Sequence, residues 1–180
     1  MYKIEIWNDY FPHNPREEFE HIGTMVCFHG RYKLGDTHTY NSKDYGSWQE
    51  LKQEIMRRED PAVILPIYMY DHSGITISTK PFSCPWDSGQ IGFIYISKYK
   101  AKKEYNTTRI SNKLKDKLTE YLNYEVKEYD SYLTGEVYGI TLLEGDEVIE
   151  SVTGFYSRES AECEANRLLK YYNEKYAVEV

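Results

Sequence analysis

The chain is 180 residues long, with 22 basic against 29 acidic side chains and a formal charge of -7. Hydrophobic residues at 41% and charged residues at 28% exclude an intrinsically disordered chain, and no run approaches the roughly 18 apolar residues of a membrane span. Cys27, Cys84 and Cys163 are far apart and form no CxxC pair, which argues against a disulfide scaffold or a thiolate zinc site. The opening MYKIEIWNDY has no apolar core or cleavage site of a secretory leader, so a cytoplasmic protein is expected. His13, His21, His29, His38 and His72 form no HExxH pair, and neither a P-loop nor GxGxxG is present.

Residues 2–7 alternate and predict a strand. The prolines of 8–21 predict a loop or a short helix after Pro15, and 24–29 a second strand. Gly30, Gly35 and Gly46 punctuate a polar stretch of loop or edge strand. Ser47 and Glu50 fit a capping box for a helix from Trp48 to about Arg58, with Trp48, Leu51, Ile55 and Met56 at helical spacing. Asp60-Pro61 ends it, because the residue before a proline avoids the helical region. Residues 63–70 predict a dense apolar strand in which Pro66 marks an edge or a bulge. Residues 71–74 form a turn, 75–79 pair back as a hairpin, 80–90 form a loop, and 91–97 a central strand in which Gly92 permits close approach.

A long helix is expected from Thr107 or Thr108, with Ile110, Leu114, Leu118, Tyr121, Leu122, Val126 and Tyr129 in period and Gly135 as its stop. Residues 137–143 and 148–155 flank the hairpin signal Glu144-Gly145-Asp146-Glu147. Ser157 caps a last helix carrying Ala161, Ala165, Leu168, Leu169 and Tyr172. The fold class is therefore α+β: a mostly antiparallel sheet, three main helices, and a C-terminal β-hairpin followed by a helix. The chain reads as one domain over 1–180, or as a sheet-rich 1–97 and a helix-hairpin-helix 108–180.

Charge is segregated. Residues 1–96 carry a net -4, 97–127 a net +5 and 128–180 a net -8. Ser83-Cys84-Pro85-Trp86-Asp87-Ser88-Gly89-Gln90 is either a structural loop with Trp86 plugging the core, or a binding or catalytic loop offering Trp86, Asp87, Ser88 and Gln90. Asp71-His72-Ser73-Gly74 places a carboxylate beside an imidazole, although in a turn Asp71 is expected to accept backbone amides. In a meander of three strands Asp71 lies at one end and Asp87 near the other. The two meet only if the intervening loop folds back along the sheet. Cys84 with His72 as base is a weak nucleophile signal. Lys98, Lys100, Lys102 and Lys103 interleave with Tyr99 and Tyr105, either as a solvated linker or as a phosphate-binding strip on which bases stack. Glu144, Asp146, Glu147, Glu159 and Glu162, with Tyr156, could imitate phosphate charge toward a basic protein groove, or simply solubilise a hairpin tip and a helix start. The 19 tyrosines suit an interaction surface. No cofactor, metal site or oligomeric state is read from the sequence.

Leu65-Pro66-Ile67-Tyr68, Tyr70-Asp71-His72-Ser73-Gly74 and Phe82-Ser83-Cys84-Pro85-Trp86-Asp87-Ser88-Gly89-Gln90, followed by Gly92 and Tyr95, resemble a family of small accessory proteins of phages and integrated mobile elements. The block covers under a fifth of the chain. The resemblance implies a genomic neighbourhood in which inhibitors of host defence occur, among them type II anti-CRISPR proteins of about this size. It carries no catalytic residue with it. Acidic antirestriction proteins that imitate duplex DNA are a further comparison, from which the +5 segment departs. Three functions are therefore expected in turn. The first is an inhibitor binding a host defence nuclease or its ribonucleoprotein complex, with contact to guide RNA. The second is a metal-dependent nuclease or other hydrolase using Asp71, His72 and Asp87 with the lysine strip as guide. The third is a non-catalytic phage interaction module.

Overall fold

The computed structural model describes residues 2–176. In chain order the elements are β1 (Tyr2–Asn8), α1 (Pro15–Glu18), β2 (Thr24–Cys27), α2 (Trp48–Glu59), β3 (Pro61–Asp71), β4 (Ile75–Ser78), β5 (Ser88–Ser97), α3 (Lys98–Glu104), α4 (Asn112–Thr134), β6 (Tyr138–Glu144), β7 (Glu147–Phe155) and α5 (Arg158–Tyr176). The architecture is α+β with antiparallel sheets, and it closes on a hairpin followed by a helix. Among the described residues no helix is long and apolar enough to cross a membrane. The chain divides into two compact units, 1–15 with 131–180, and 16–130. Residues 98–107, the division point suggested by the sequence, lie inside the second unit.

The 16–130 unit holds a four-stranded sheet in the order β2-β5-β3-β4. The Ser47 hydroxyl accepts the Glu50 amide at 3.3 Å, and the Glu50 carboxylate reaches back to the Gly46 amide at 2.8 Å, which fixes the start of α2. Leu51 and Ile55 then pack with Val26, Tyr40, Phe93 and Tyr95. Met56 falls outside the stripe and is exposed, contrary to its helical spacing. Pro66 is tolerated because β4 covers β3 only from Tyr68 to Asp71, leaving the proline on an open flank. Gly92 is required by close approach: a Cβ there would overlap the Val26 carbonyl of β2.

Two elements differ from the sequence reading. The basic 98–104 segment is a helix rather than a linker. Ser97 caps it, accepting the Lys100 amide at 3.2 Å, and Ala101 is its buried anchor. The long helix begins at Asn112, where the Ser111 hydroxyl accepts the Leu114 amide at 3.2 Å, so Ile110 precedes it. Its buried stripe is Leu118, Leu122, Glu125, Val126 and Tyr129.

A buried ionic cluster joins α1, α4 and the 22–36 segment. The Arg16 side chain, 2% exposed, donates from Nε at 2.8 Å and Nη2 at 2.5 Å to the two Asp36 oxygens. Its Nη1 donates at 2.8 Å to Glu125 Oε2, and its Nη2 donates also to the Gly23 carbonyl at 3.0 Å. Glu125, 1% exposed, accepts the amides of Ile22 at 3.0 Å and Gly23 at 2.9 Å. Asp36 accepts the Met25 amide at 2.7 Å. Each buried charge thereby has both an opposite charge and hydrogen bonds, the condition under which buried ions are tolerated. A Cβ on Gly23 would come within 2.6 Å of Glu125 Oε2, so only glycine admits this approach. On another side of the sheet Asp130 of α4 accepts the Ile77 amide and the Thr76 hydroxyl, each at 2.7 Å, blunting the β4 edge.

The other unit is a three-stranded sheet in the order β1-β6-β7. Ile140 packs against Ala161, Ala165 and Leu168 of α5, with Ile4, Ile6 and Val152 alongside. Ser157 caps α5 by accepting the Ser160 amide at 3.1 Å.

His21 carries a pH dependence. Its Nε2 lies 3.0 Å from Glu128, whose hydrogen bond raises the imidazole pKa above its ordinary 6.5 against the opposing effects of burial and Arg16; Glu125 and the Phe19 carbonyl raise it further. A raised folded-state pKa gives stability that is complete below 6.5 and lost as pH rises through the folded value. In urea titrations His21→Gln should therefore cost more stability at about pH 5.5 than at about pH 9. A cost that is equal or larger at alkaline pH contradicts the pairing.

Candidate functional site

The register of the four-stranded sheet decides where the chemistry gathers. β4 and β5 both run antiparallel to β3, and Ser88 pairs with Tyr70. After β4 the chain must therefore return along the sheet before β5 begins. Asp71 and Asp87 consequently meet at one end, not at opposite ends as a simple meander implied. The Asp71 amide donates to the Asp87 carbonyl at 2.8 Å.

Around this point the side chains converge. His72 Nδ1 lies 3.4 Å from Asp87 Oδ2, and the Cys84 thiol lies 3.7 Å from the same oxygen. The His72 ring stacks on Tyr70 with centroids 5.9 Å apart. The Asp71 carboxylate faces Arg31 Nη1 at 3.5 Å instead of the amides of its own turn, which Ser73 and Gly74 make with positive φ. The Ser88 hydroxyl donates to the Cys84 carbonyl. Trp86 projects from the tip, 92% exposed, so it does not plug the core. Ser88 and Gln90 belong to β5 rather than to a loop, and the Gln90 side-chain Nε2 donates to the Gly92 carbonyl at 3.1 Å.

The chemistry available is limited by this arrangement. Asp87 contacts both the imidazole and the thiol, so the groups share a carboxylate instead of forming a nucleophile–base pair. Among the described residues no group of three or more His, Cys, Asp and Glu side chains is placed to hold a metal ion. Asp71, Asp87 and Arg31 form a polar patch beside the exposed indole of Trp86.

The lysine strip is elsewhere. Lys98 follows the far end of β5, whose ten residues run about 30 Å, too far to guide a substrate onto Asp87. Lys98 pairs with Asp60 at 2.6 Å, and Lys100 donates to the buried His21 carbonyl at 2.7 Å, so both have structural duties. Among the described residues, Lys102, Lys103 and the exposed Tyr99 have no side-chain partner.

In the other unit Glu144, Asp146 and Glu147 are exposed at the β6–β7 tip. Glu159 and Glu162 are exposed in the first turns of α5, where Glu162 pairs with Arg158 at 2.9 Å. The two acidic groups stand at opposite ends of β7. Tyr156 is buried and donates to the His13 carbonyl at 2.7 Å, a brace rather than a contact residue.

Sequence reasoning did not find Arg31, whose loop position carried no motif, nor a cavity of about 1000 Å³ that opens beside it. The signal for the ionic cluster was present in Glu125, an acid standing on the apolar stripe of α4. Comparisons with protein-family models, with curated proteins and with solved structures gave no match.

Burial, aided by Asp36 and opposed by Arg16, pushes the Cys27 thiol up to about 12, so it stays protonated and inert at neutral pH. Titration with a thiol reagent should label exposed Cys163 first, half-buried Cys84 more slowly, and Cys27 only on unfolding. Rapid labelling of Cys27 in the folded protein contradicts this order.

Proposed function

We propose that this is a binding protein of phage or mobile-element type, acting in the host cytoplasm, that inhibits a bacterial defence nuclease. Its target on this reading is a type II RNA-guided effector or its guide RNA complex, which makes it an anti-CRISPR protein. The observation that supports this reading is the division of charge between the two units. Residues 1–15 and 131–180 hold 5 basic and 12 acidic side chains, a net -7, while residues 16–130 hold 17 of each and are neutral overall. The entire net charge of the chain therefore rests on the smaller unit.

Its carboxylates cluster at the two ends of β7, about 30 Å apart, a span comparable to one turn of duplex at roughly 34 Å. A basic channel built to neutralise phosphates attracts and orients such a surface. The neutral unit adds the exposed Trp86, a low-entropy contact residue of the kind that anchors protein interfaces.

A second reading, hydrolysis of RNA or DNA, draws on the convergence of His72, Cys84 and Asp87. One experiment separates the two. Target-DNA cleavage by a type II effector with its guide is measured with and without the protein, and the guide is sized on a gel. Inhibition should leave the guide intact and be abolished in the Glu144→Lys, Asp146→Lys, Glu147→Lys triple variant. Full inhibition by that variant contradicts the acidic-surface reading. A shortened guide, restored to full length by Asp87→Ala and by His72→Ala, establishes the hydrolase instead.

A further inference from the structure

One cavity belongs wholly to the 16–130 unit and is used by none of the functions above. It encloses about 1000 Å³ between the 27–38 loop and the start of α2. Phe28, Tyr45 and Trp48 are half-buried in its lining and rest on the core beneath. Phe28 and Trp48 lie nearly parallel, 21° apart with centroids at 6.4 Å, and His38 meets Phe28 edge-on at 5.2 Å. These rings offer flat apolar surface, the kind of surface on which heteroaromatic rings stack.

The charged groups of the lining are mostly positive. Asp36 is committed to Arg16 and to the Met25 amide, so it adds no free negative charge. Lys33 is exposed and, among the described residues, in no ion pair, and Arg31 is exposed, 3.5 Å from Asp71, donating to the Tyr32 hydroxyl at 3.4 Å with its guanidinium 5.6 Å from the Tyr32 ring centroid. His29 Nδ1 accepts the amides of Arg31 at 3.3 Å and Tyr32 at 3.2 Å, which leaves its ring proton on Nε2 as a further donor. The loop bearing these groups is preformed. Asp36 is held by Arg16, the Asp36 amide donates to the Met25 carbonyl at 2.9 Å, and the His29 ring stacks on Tyr32 at 5.1 Å.

Aromatic walls with a separate cationic rim fit a ligand that joins a flat ring to an anion. From this we infer that the cavity is a nucleotide site, taking the base against the Phe28, Tyr45 and Trp48 surface and the phosphate at Lys33 and Arg31. A free mononucleotide and the 5′-phosphorylated end of a strand present the same chemistry. The inference does not rest on the proposed inhibitory function, since its residues lie outside the acidic unit.

Isothermal titration of the full chain tests it, using the common ribonucleoside 5′-monophosphates, the matching nucleosides, and inorganic phosphate. At least one monophosphate should bind about tenfold or more tightly than its nucleoside or phosphate alone. Lys33→Glu, at an exposed position, should weaken that binding at least about tenfold while thermal stability is unchanged. Trp48→Leu should remove binding of nucleoside and monophosphate alike, with circular dichroism reporting whether the fold is kept. A 5′-phosphorylated oligonucleotide that binds more tightly than the monophosphate, with the same loss in Lys33→Glu, assigns the site to a strand end; weaker binding assigns it to the free nucleotide. No binding at millimolar concentration, equal binding of nucleoside and monophosphate, or full affinity in Lys33→Glu overturns the inference.

Discussion

Arg16 is the point at which three distant parts of the larger unit meet: the start of that unit, the 22–36 segment and the middle of α4. A guanidinium this deeply buried is costly to desolvate, and its cost is offset only because Asp36 takes it in bidentate fashion and Glu125 takes the next nitrogen. The two acids then spend their remaining lone pairs on the amides of Ile22, Gly23 and Met25. The entry of the chain into β2 and the exit of the following loop are thus fixed by one charge. Everything displayed by that loop inherits its position from this cluster, including Arg31 against Asp71 and Lys33 at the cavity rim.

The second constraint is topological. Because β4 and β5 both oppose β3, the 79–87 connection has to travel the length of β4 in reverse, and this brings Cys84, Trp86 and Asp87 to the turn that holds Asp71 and His72. The same register sends the lysines of α3 to the far end of β5. Within the 16–130 unit the His72–Asp87 cluster and the basic helix therefore lie at opposite ends of β5, and within the other unit the two acidic groups lie at opposite ends of β7.

Much of the fold was legible because local rules and tertiary packing agree. Ser47 and Glu50 marked α2, Gly135 and Ser157 marked helix ends, and the 144–147 turn marked the last hairpin. Legibility failed where packing overrode local text. The lysines of 98–103 read as linker, yet Ser97 caps the segment, Ala101 is buried beneath it, and Lys98 and Lys100 are tied to Asp60 and the His21 carbonyl, so it is helical. Trp86 read as a core plug on hydrophobicity, but the return of the loop toward Asp71 leaves the indole in solvent. Tyr156 read as a contact residue, and its hydroxyl is instead spent inside the fold on His13. The Asp71–Asp87 meeting depends on strand order, which no single segment encodes. Arg31 and the cavity were invisible for the same reason, since their meaning arises only when the 27–38 loop is anchored by residues from α1 and α4.

The anchoring role of Arg16 is the claim on which this account most depends, and equilibrium urea unfolding tests it directly. Arg16→Met leaves the buried Glu125 carboxylate and the half-buried Asp36 carboxylate without their counter-charge and should lower stability by about 3–5 kcal/mol. Glu125→Gln keeps an acceptor for the Ile22 and Gly23 amides and should cost clearly less. An Arg16→Met protein as stable as the parent, or a Glu125→Gln protein that loses more than Arg16→Met does, would contradict it.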